Sequence, residues 1–198
     1  MRDPVRPRHA ASLIVLREGP AGPEMLMGLR GAGHRFMPNR LVFPGGAVDE
    51  ADMTAPSATP LPAHTAARLE RAATPALAAA LGIAAARELA EETGLSLGVP
   101  PALDGLSYIC RLITPPDSPV RFDARFFVVD AACVTGTVGG SGEIENIRFY
   151  GLEEALSVDL ATPTRKVIQR MLAWREMTQE QREMERLVPV FRDAWSWE

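Results

Sequence analysis

The 198-residue sequence holds one lysine, Lys166; the rest of its 21 basic residues are arginines. Set against 25 acidic residues they leave a formal charge of -4. Proteins that bind nucleic acid polymers nonspecifically carry a basic excess or basic clusters, so no polymer partner is expected, although free nucleotides remain possible substrates. Abundant Ala, Arg and Pro fit a GC-rich coding bias, which lowers the weight of any single arginine. Cysteine is also scarce. Cys110 and Cys133 lie in apolar surroundings with neither a His nor a second Cys at metal-ligand spacing, so buried free thiols are expected over a disulfide or a nucleophile. His9, His34 and His64 show no ligand spacing either. Long apolar runs are missing. "ALAAALGIAAA" is far short of the roughly 20 residues of a membrane helix and contains Gly82, and "MRDPVRPRHA" lacks the apolar core of a signal peptide. A cytoplasmic location is the default expectation.

Hydrophobic residues at 46% and charged residues at 23% describe an ordinary globular chain, and the length suits one domain, 1–198. Apolar runs at 11–16, 24–30, 41–43, 106–114, 125–130 and 147–151, punctuated by Pro and Gly, predict strands. Helical patterns cover 75–93 and 163–187. Thr74 and Pro75 form a cap and first-turn pair, and Gly94 is a natural stop. Residues 53–62 predict an exposed prolyl loop, followed by a short helix near 64–73. Strands intermixed with helices predict an α/β or α+β sandwich, with a helical C-terminal region over 163–198. Trp174, Trp195 and Trp197 are expected in packing or at a dimer contact, and the apolar "VPVFRDAWSW" makes a homodimer possible.

Two acidic stretches hold the chemistry. "FPGGAVDEAD", residues 43–52, follows a glycine pair with carboxylates; "ARELAEETGL", residues 86–95, places Glu88, Glu91 and Glu92 at i, i+3 and i+4 on one helix face. Like charges so placed oppose one another near the negative end of a helix. Arg87 can pair with Glu91 but cannot neutralise three carboxylates, whereas a hard divalent ion such as Mg²⁺ can. A solvated helix face is the plainer alternative.

Arg87, Glu88, Leu89, Glu91, Glu92, Gly94 and Leu95 spell R-E-U-x-E-E-x-G-U, with U aliphatic, which resembles the second half of the Nudix box. Gly46 opens the first half, and Asp52 stands where the family has Glu. Residues 53–86 make a spacer of 34 where the family has seven, so the box carries an insertion of 27 residues. The resemblance implies a Nudix fold, a mixed sheet sandwiched between helices, and metal-dependent hydrolysis (Mg²⁺ or Mn²⁺) of a nucleoside diphosphate derivative. It implies Glu88, Glu91, Glu92 and the Gly45 carbonyl as metal ligands, with Glu91 and Glu92 in the catalytic set and Gly46, Asp52, Arg87 and Gly94 as structural residues of the box. The general base is sought outside it. In "GTVGGSGEIENIRF" Glu143 is preferred to Glu145 as a carboxylate on a mobile loop.

"RGAGHRFMPNRLVFPGG" and "ATPTRKVIQRML" are similar to the Nudix branch with inserts in the box that includes coenzyme A diphosphatases. Arg35 fits the signature of that branch, while Asn39 replaces its Gly. Coenzyme A or acyl-coenzyme A is therefore the leading substrate, with ADP-ribose or another nucleotide diphosphate next, and a catalytically silent ligand-binding module as a reading of another class. Arg30, Arg35 and Arg40 stand ahead of the box as candidate phosphate grips.

Overall fold

The computed structural model describes residues 5–31, 40–139 and 142–198. Its strands are β1 (Arg8–Gly19), β2 (Gly22–Arg30), β3 (Leu41–Val42), β4 (Gly45–Ala47), β5 (Leu95–Ser96), β6 (Ser107–Ile113), β7 (Phe122–Asp130), β8 (Thr135–Gly136), β9 (Ile144–Gly151), β10 (Pro189–Phe191) and β11 (Trp195–Trp197). Its helices are α1 (Ala63–Leu69), α2 (Pro75–Thr93), α3 (Leu152–Ser157), α4 (Thr162–Arg175) and α5 (Gln179–Met184). The main sheet runs β11-β10-β6-β7-β1-β2-β3, with β9 beside β2. β1 is its hub. It lies parallel to β7 along its length and shares its other edge between β4, at Ala10–Ser12, and β2, at Leu16–Gly19.

The sheet is buried on both faces because side chains alternate across β1. Ala11, Leu13 and Val15 join Leu81, Ala85 and Leu89 of α2 in one core, while Ile14 and Leu16 join Val167, Ile168 and Met171 of α4 in the other. A mixed sheet sandwiched between helices is thus observed. Each fully buried Leu, Ile or Val contributes about 1.5–3 kcal/mol, so the two cores supply most of what holds the layers together.

Local signals explain the helix ends. The Thr74 hydroxyl accepts from the Leu77 amide at 3.2 Å, Pro75 occupies the first turn, and Gly94 closes α2 at φ 72°, where a glycine has no Cβ penalty. The loop before α1 is exposed, as expected. The inserted segment is tied down through α1, where the buried Arg68 donates to the Tyr108 carbonyl at 2.6 Å and pairs with Glu185 at 2.9 Å.

Three expectations change. The helical pattern over 163–187 is two helices, because Thr178 starts α5 with a capping box to Gln181 and so separates it from α4. Residues 189–197 are not helical: β10 and β11 form an antiparallel pair that extends the sheet beside β6, burying Val190. Cys110 is buried and free, as expected, but Cys133, expected buried, is exposed and free at the end of a short 3-10 turn. The tryptophans also part company. Trp174 is buried, Trp195 packs edge-on against Phe191 at 5.3 Å, and Trp197 is exposed. No helix among the described residues is long and apolar enough to cross a membrane.

Candidate active site

The glycine pair is where two layers touch. After Phe43 and Pro44 the chain enters β4, and a Cβ on Gly45 would collide with Ser12 and the Ala11 carbonyl of β1, at a φ of 156°. A Cβ on Gly46 would strike the Glu88 carboxylate. Two missing side chains therefore let α2 present carboxylates through the sheet edge. Glu92 accepts from the Gly45 amide at 2.8 Å, and both Glu88 and Glu92 are buried.

Arg87 is the hinge of the box. It donates through Nε to Oδ1 of Asp52 at 3.0 Å and through Nη2 to Oδ2 at 2.9 Å, a bidentate pair. It also donates to the Ala47 carbonyl at 3.0 Å, to Glu88 at 2.9 Å and to Glu91 at 3.2 Å. Asp52 is buried and accepts in turn from the Asp49 amide at 2.8 Å. The shorter acid thus reaches Arg87 from a 3-10 turn at Ala51–Met53, and the two halves of the box meet across the insertion.

Electrostatics follow from this burial. Burial pushes the Glu92 carboxyl up to about 8; Glu88 and Glu143 push the same way, while the Gly45 amide and Arg30 oppose them. Burial likewise raises Glu88, against the opposing pull of Arg87. Two carboxylates held where charge is disfavoured are a place for a cation.

A cleft of about 730 Å³ opens in front of them. Its floor is the sheet face that α4 covers further along: Ala10 and Ser12 from β1, and Ala124 and Phe126 from β7. Glu88, Glu92, Gly45, Gly46, Glu143 and Arg30 all line it. The sequence candidates separate accordingly. Glu145 lies on exposed β9 and is not part of the lining; Glu91 is exposed and paired with Arg87; Arg40 donates to the Asp159 carbonyl at 2.6 Å at the surface. His34, Arg35 and Asn39 lie outside the described residues. Gly94 closes α2 and is packed against Thr137 and Gly139. Sequence reasoning missed Arg8, Phe122, Phe126, Phe191 and Arg192, which also line the cleft. Only strand alternation from Ala10 and Ser12 could have pointed to Arg8.

The oxygen donors present suit a hard divalent ion: Glu88, Glu92 and Gly45 line the cleft together, and among the described lining residues there is no His, Cys or Met. Among the described residues no group of three His, Cys, Asp or Glu is drawn together as a ready-made cage. Mg²⁺ does not need one, since it is commonly held by one or two carboxylates with waters and substrate oxygens.

No protein-family model matches this sequence, and no curated protein matches it. Solved structures do. A Nudix hydrolase from Alicyclobacillus acidocaldarius is similar with a TM-score of 0.66 and 25% identity, over 85% of this chain and 92% of its own. A MutT Nudix hydrolase from Burkholderia pseudomallei matches with a TM-score of 0.56 and 18% identity, over 84% and 98% of the two chains. The Nudix domain of Shewanella oneidensis NrtR, solved with ADP ribose, has a TM-score of 0.56 and 15% identity, over 85% and 88%. The chain has the Nudix fold.

Proposed function

We propose that this chain hydrolyses the diphosphate linkage of a nucleoside diphosphate derivative with a divalent cation, Mg²⁺ or Mn²⁺, and that coenzyme A or an acyl-coenzyme A is its leading substrate. One observation carries the reading: Glu88, Glu92, Glu143 and Arg30 meet on the wall of a single cleft. A buried carboxylate pair is costly unless a cation compensates it. When bound, that cation supplies neutralisation of phosphate charge. Glu88, Glu91, Glu92 and the Gly45 carbonyl would hold it, with Arg87 donating to both Glu88 and Glu91.

The remaining roles belong to the chain itself. Arg30, half-buried and close enough to Glu92 to affect its titration, grips the diphosphate through its guanidinium fork. Glu143, exposed on the segment before β9 and lining the cleft, would accept a proton from the attacking water. Gly45 and Gly46 keep the approach to the glutamates clear. The alternative substrate, ADP-ribose or another nucleotide diphosphate, has support from the Shewanella oneidensis domain solved with ADP ribose. The alternative class is a silent module that binds such ligands without cleaving them.

A panel of coenzyme A, ADP-ribose and NADH with Mg²⁺ separates these. Cleavage of coenzyme A is expected, and Glu92→Gln lowers kcat by about 100-fold or more, the scale on which losing a charge-stabilising group acts, with the fold retained by circular dichroism. Binding without cleavage anywhere in a broad diphosphate panel, or full activity in Glu92→Gln, overturns the enzymatic reading.

A further inference from the structure

Among the described residues three arginines line the cleft, and they differ in what they already hold. Arg192 donates to Glu198 at 2.5 Å. Among the described residues, Arg8 and Arg30 have no ion pair or side-chain hydrogen bond. Arg30 belongs to the glutamate end. Arg8 does not. Ser12 stands opposite Gly45, the residue bonded to Glu92, and Arg8 lies four residues earlier on the same extended strand, about 13 Å away at the usual rise per residue.

The far end has its own chemistry. Arg8 is the cross-strand partner of Phe122 on β7, and Phe122 also lines the cleft. The Phe122 amide donates to the Thr114 hydroxyl oxygen at 3.0 Å, which leaves that hydroxyl's hydrogen to be donated elsewhere, and Ser118 adds a second hydroxyl. The acids of the lining are Glu88, Glu92 and Glu143, which act on one another at the opposite end. Among the described residues, Arg8, two hydroxyls and an aromatic ring thus make a cationic, donor-rich end of the cleft to which the lining contributes no carboxylate.

We infer that Arg8 is a specificity-determining residue that binds a second anionic group of the substrate, a phosphomonoester on the sugar, remote from the diphosphate that is cleaved. The inference rests on the hydrolysis proposed above and narrows its substrate class. A diphosphate gripped by Arg30 leaves Arg8 facing another part of the same molecule, and a guanidinium fork matches phosphate oxygens. Diphosphates that lack the extra phosphate leave this end of the cleft without its counter-charge.

The test compares coenzyme A with dephospho-coenzyme A, which shares the diphosphate but lacks the sugar phosphomonoester, using wild type, Arg8→Ala and Arg8→Lys with Mg²⁺. Wild type is expected to favour coenzyme A at least tenfold in kcat/KM. Arg8→Ala shrinks that preference at least tenfold, mainly through KM, and Arg8→Lys restores part of it. Equal cleavage of both substrates by wild type, or an equal loss on both in Arg8→Ala, overturns the inference while the hydrolase reading stands. Calorimetric binding of adenosine 3′,5′-bisphosphate against AMP needs no turnover and covers a chain that cleaves neither. In that event the coenzyme A assignment falls while hydrolysis of another diphosphate stays open to the panel above, and the Arg8 site stands only if the bisphosphate binds at least tenfold tighter and Arg8→Ala abolishes the difference.

Discussion

Glu92 is the residue on which folding and function oppose each other. It is buried beside Glu88 and anchored by the Gly45 amide, and its carboxyl is raised to about 8. In the unfolded chain a glutamate titrates near about 4.3, so the folded state binds the proton more tightly. The stability contributed by that proton is complete below the unfolded value and is lost as pH rises through about 8. With chelator present, Tm should therefore fall between pH 5 and pH 9, and Glu92→Gln should flatten the fall. Mg²⁺ that binds the ionised form should raise Tm at pH 8–9 and do little at pH 5; a Mg²⁺ effect independent of pH would remove Glu92 from the cation's shell. At this scale the sequence was legible where chemistry dictates a letter. Arg87 and Asp52 are recognisable in the box, and the structure pairs them across 34 intervening positions. Helical spacing put Glu91 on the same face as Glu88, and one Arg87 nitrogen donates to both, Glu88 buried and Glu91 exposed. Arg8 was not legible, because one arginine among many carries no pattern of its own.

At the scale of elements, α2 was readable from end to end: a hydroxyl cap, a proline in the first turn, unbroken apolar periodicity and a left-handed glycine all agree. The C-terminal elements were not. The charged residues of 163–187 continue a helical pattern through Glu176 and Met177, and only the capping box at Thr178 divides it. β10 and β11 are three residues each, too short to show alternation, and they exist because β6 offers an open edge. What holds these pieces to the inserted segment is a charge cluster. Glu185 receives two hydrogen bonds of 2.7 Å from Arg170 on α4 and an ion pair of 2.9 Å from Arg68 on α1. Arg68 is 4% exposed, and its Nε has no partner among the described residues. Glu185→Ala would strand that buried guanidinium, which typically costs about 3–5 kcal/mol. Urea denaturation should register that loss, whereas replacing Arg68 and Glu185 together by Met and Leu should cost much less. Equal losses in the two variants would show that packing, rather than the uncompensated charge, sets the stability.

At the scale of the whole molecule, one sheet face serves two purposes. Under α4 it carries Ile14, Leu16 and Val128, which are buried in the core; toward the other end of the same strands it carries Ser12, Ala10, Ala124 and Arg8, which line the cleft. The sequence disclosed the strands and the two box halves, but the cleft depends on which strands are neighbours, and the parallel pairing of β1 with β7 joins segments more than a hundred residues apart. Small side chains in the middle of this floor make its depth. Ala124 lies between Ala10 and Leu112 in register, and all three line the cleft. A bulkier side chain there would occupy space meant for substrate without entering either core, because Ala124 faces the opening. Ala124→Phe should therefore raise KM for the cleaved diphosphate about tenfold or more and shift Tm by only a few degrees, as changes within about 1 kcal/mol do in a chain of this size. Steady-state kinetics beside a thermal melt distinguishes the outcomes. A large fall in Tm would mean that Ala124 is part of the packing, and unchanged kinetics would mean that substrate reaches Glu88 and Glu92 by a route that does not cross this floor.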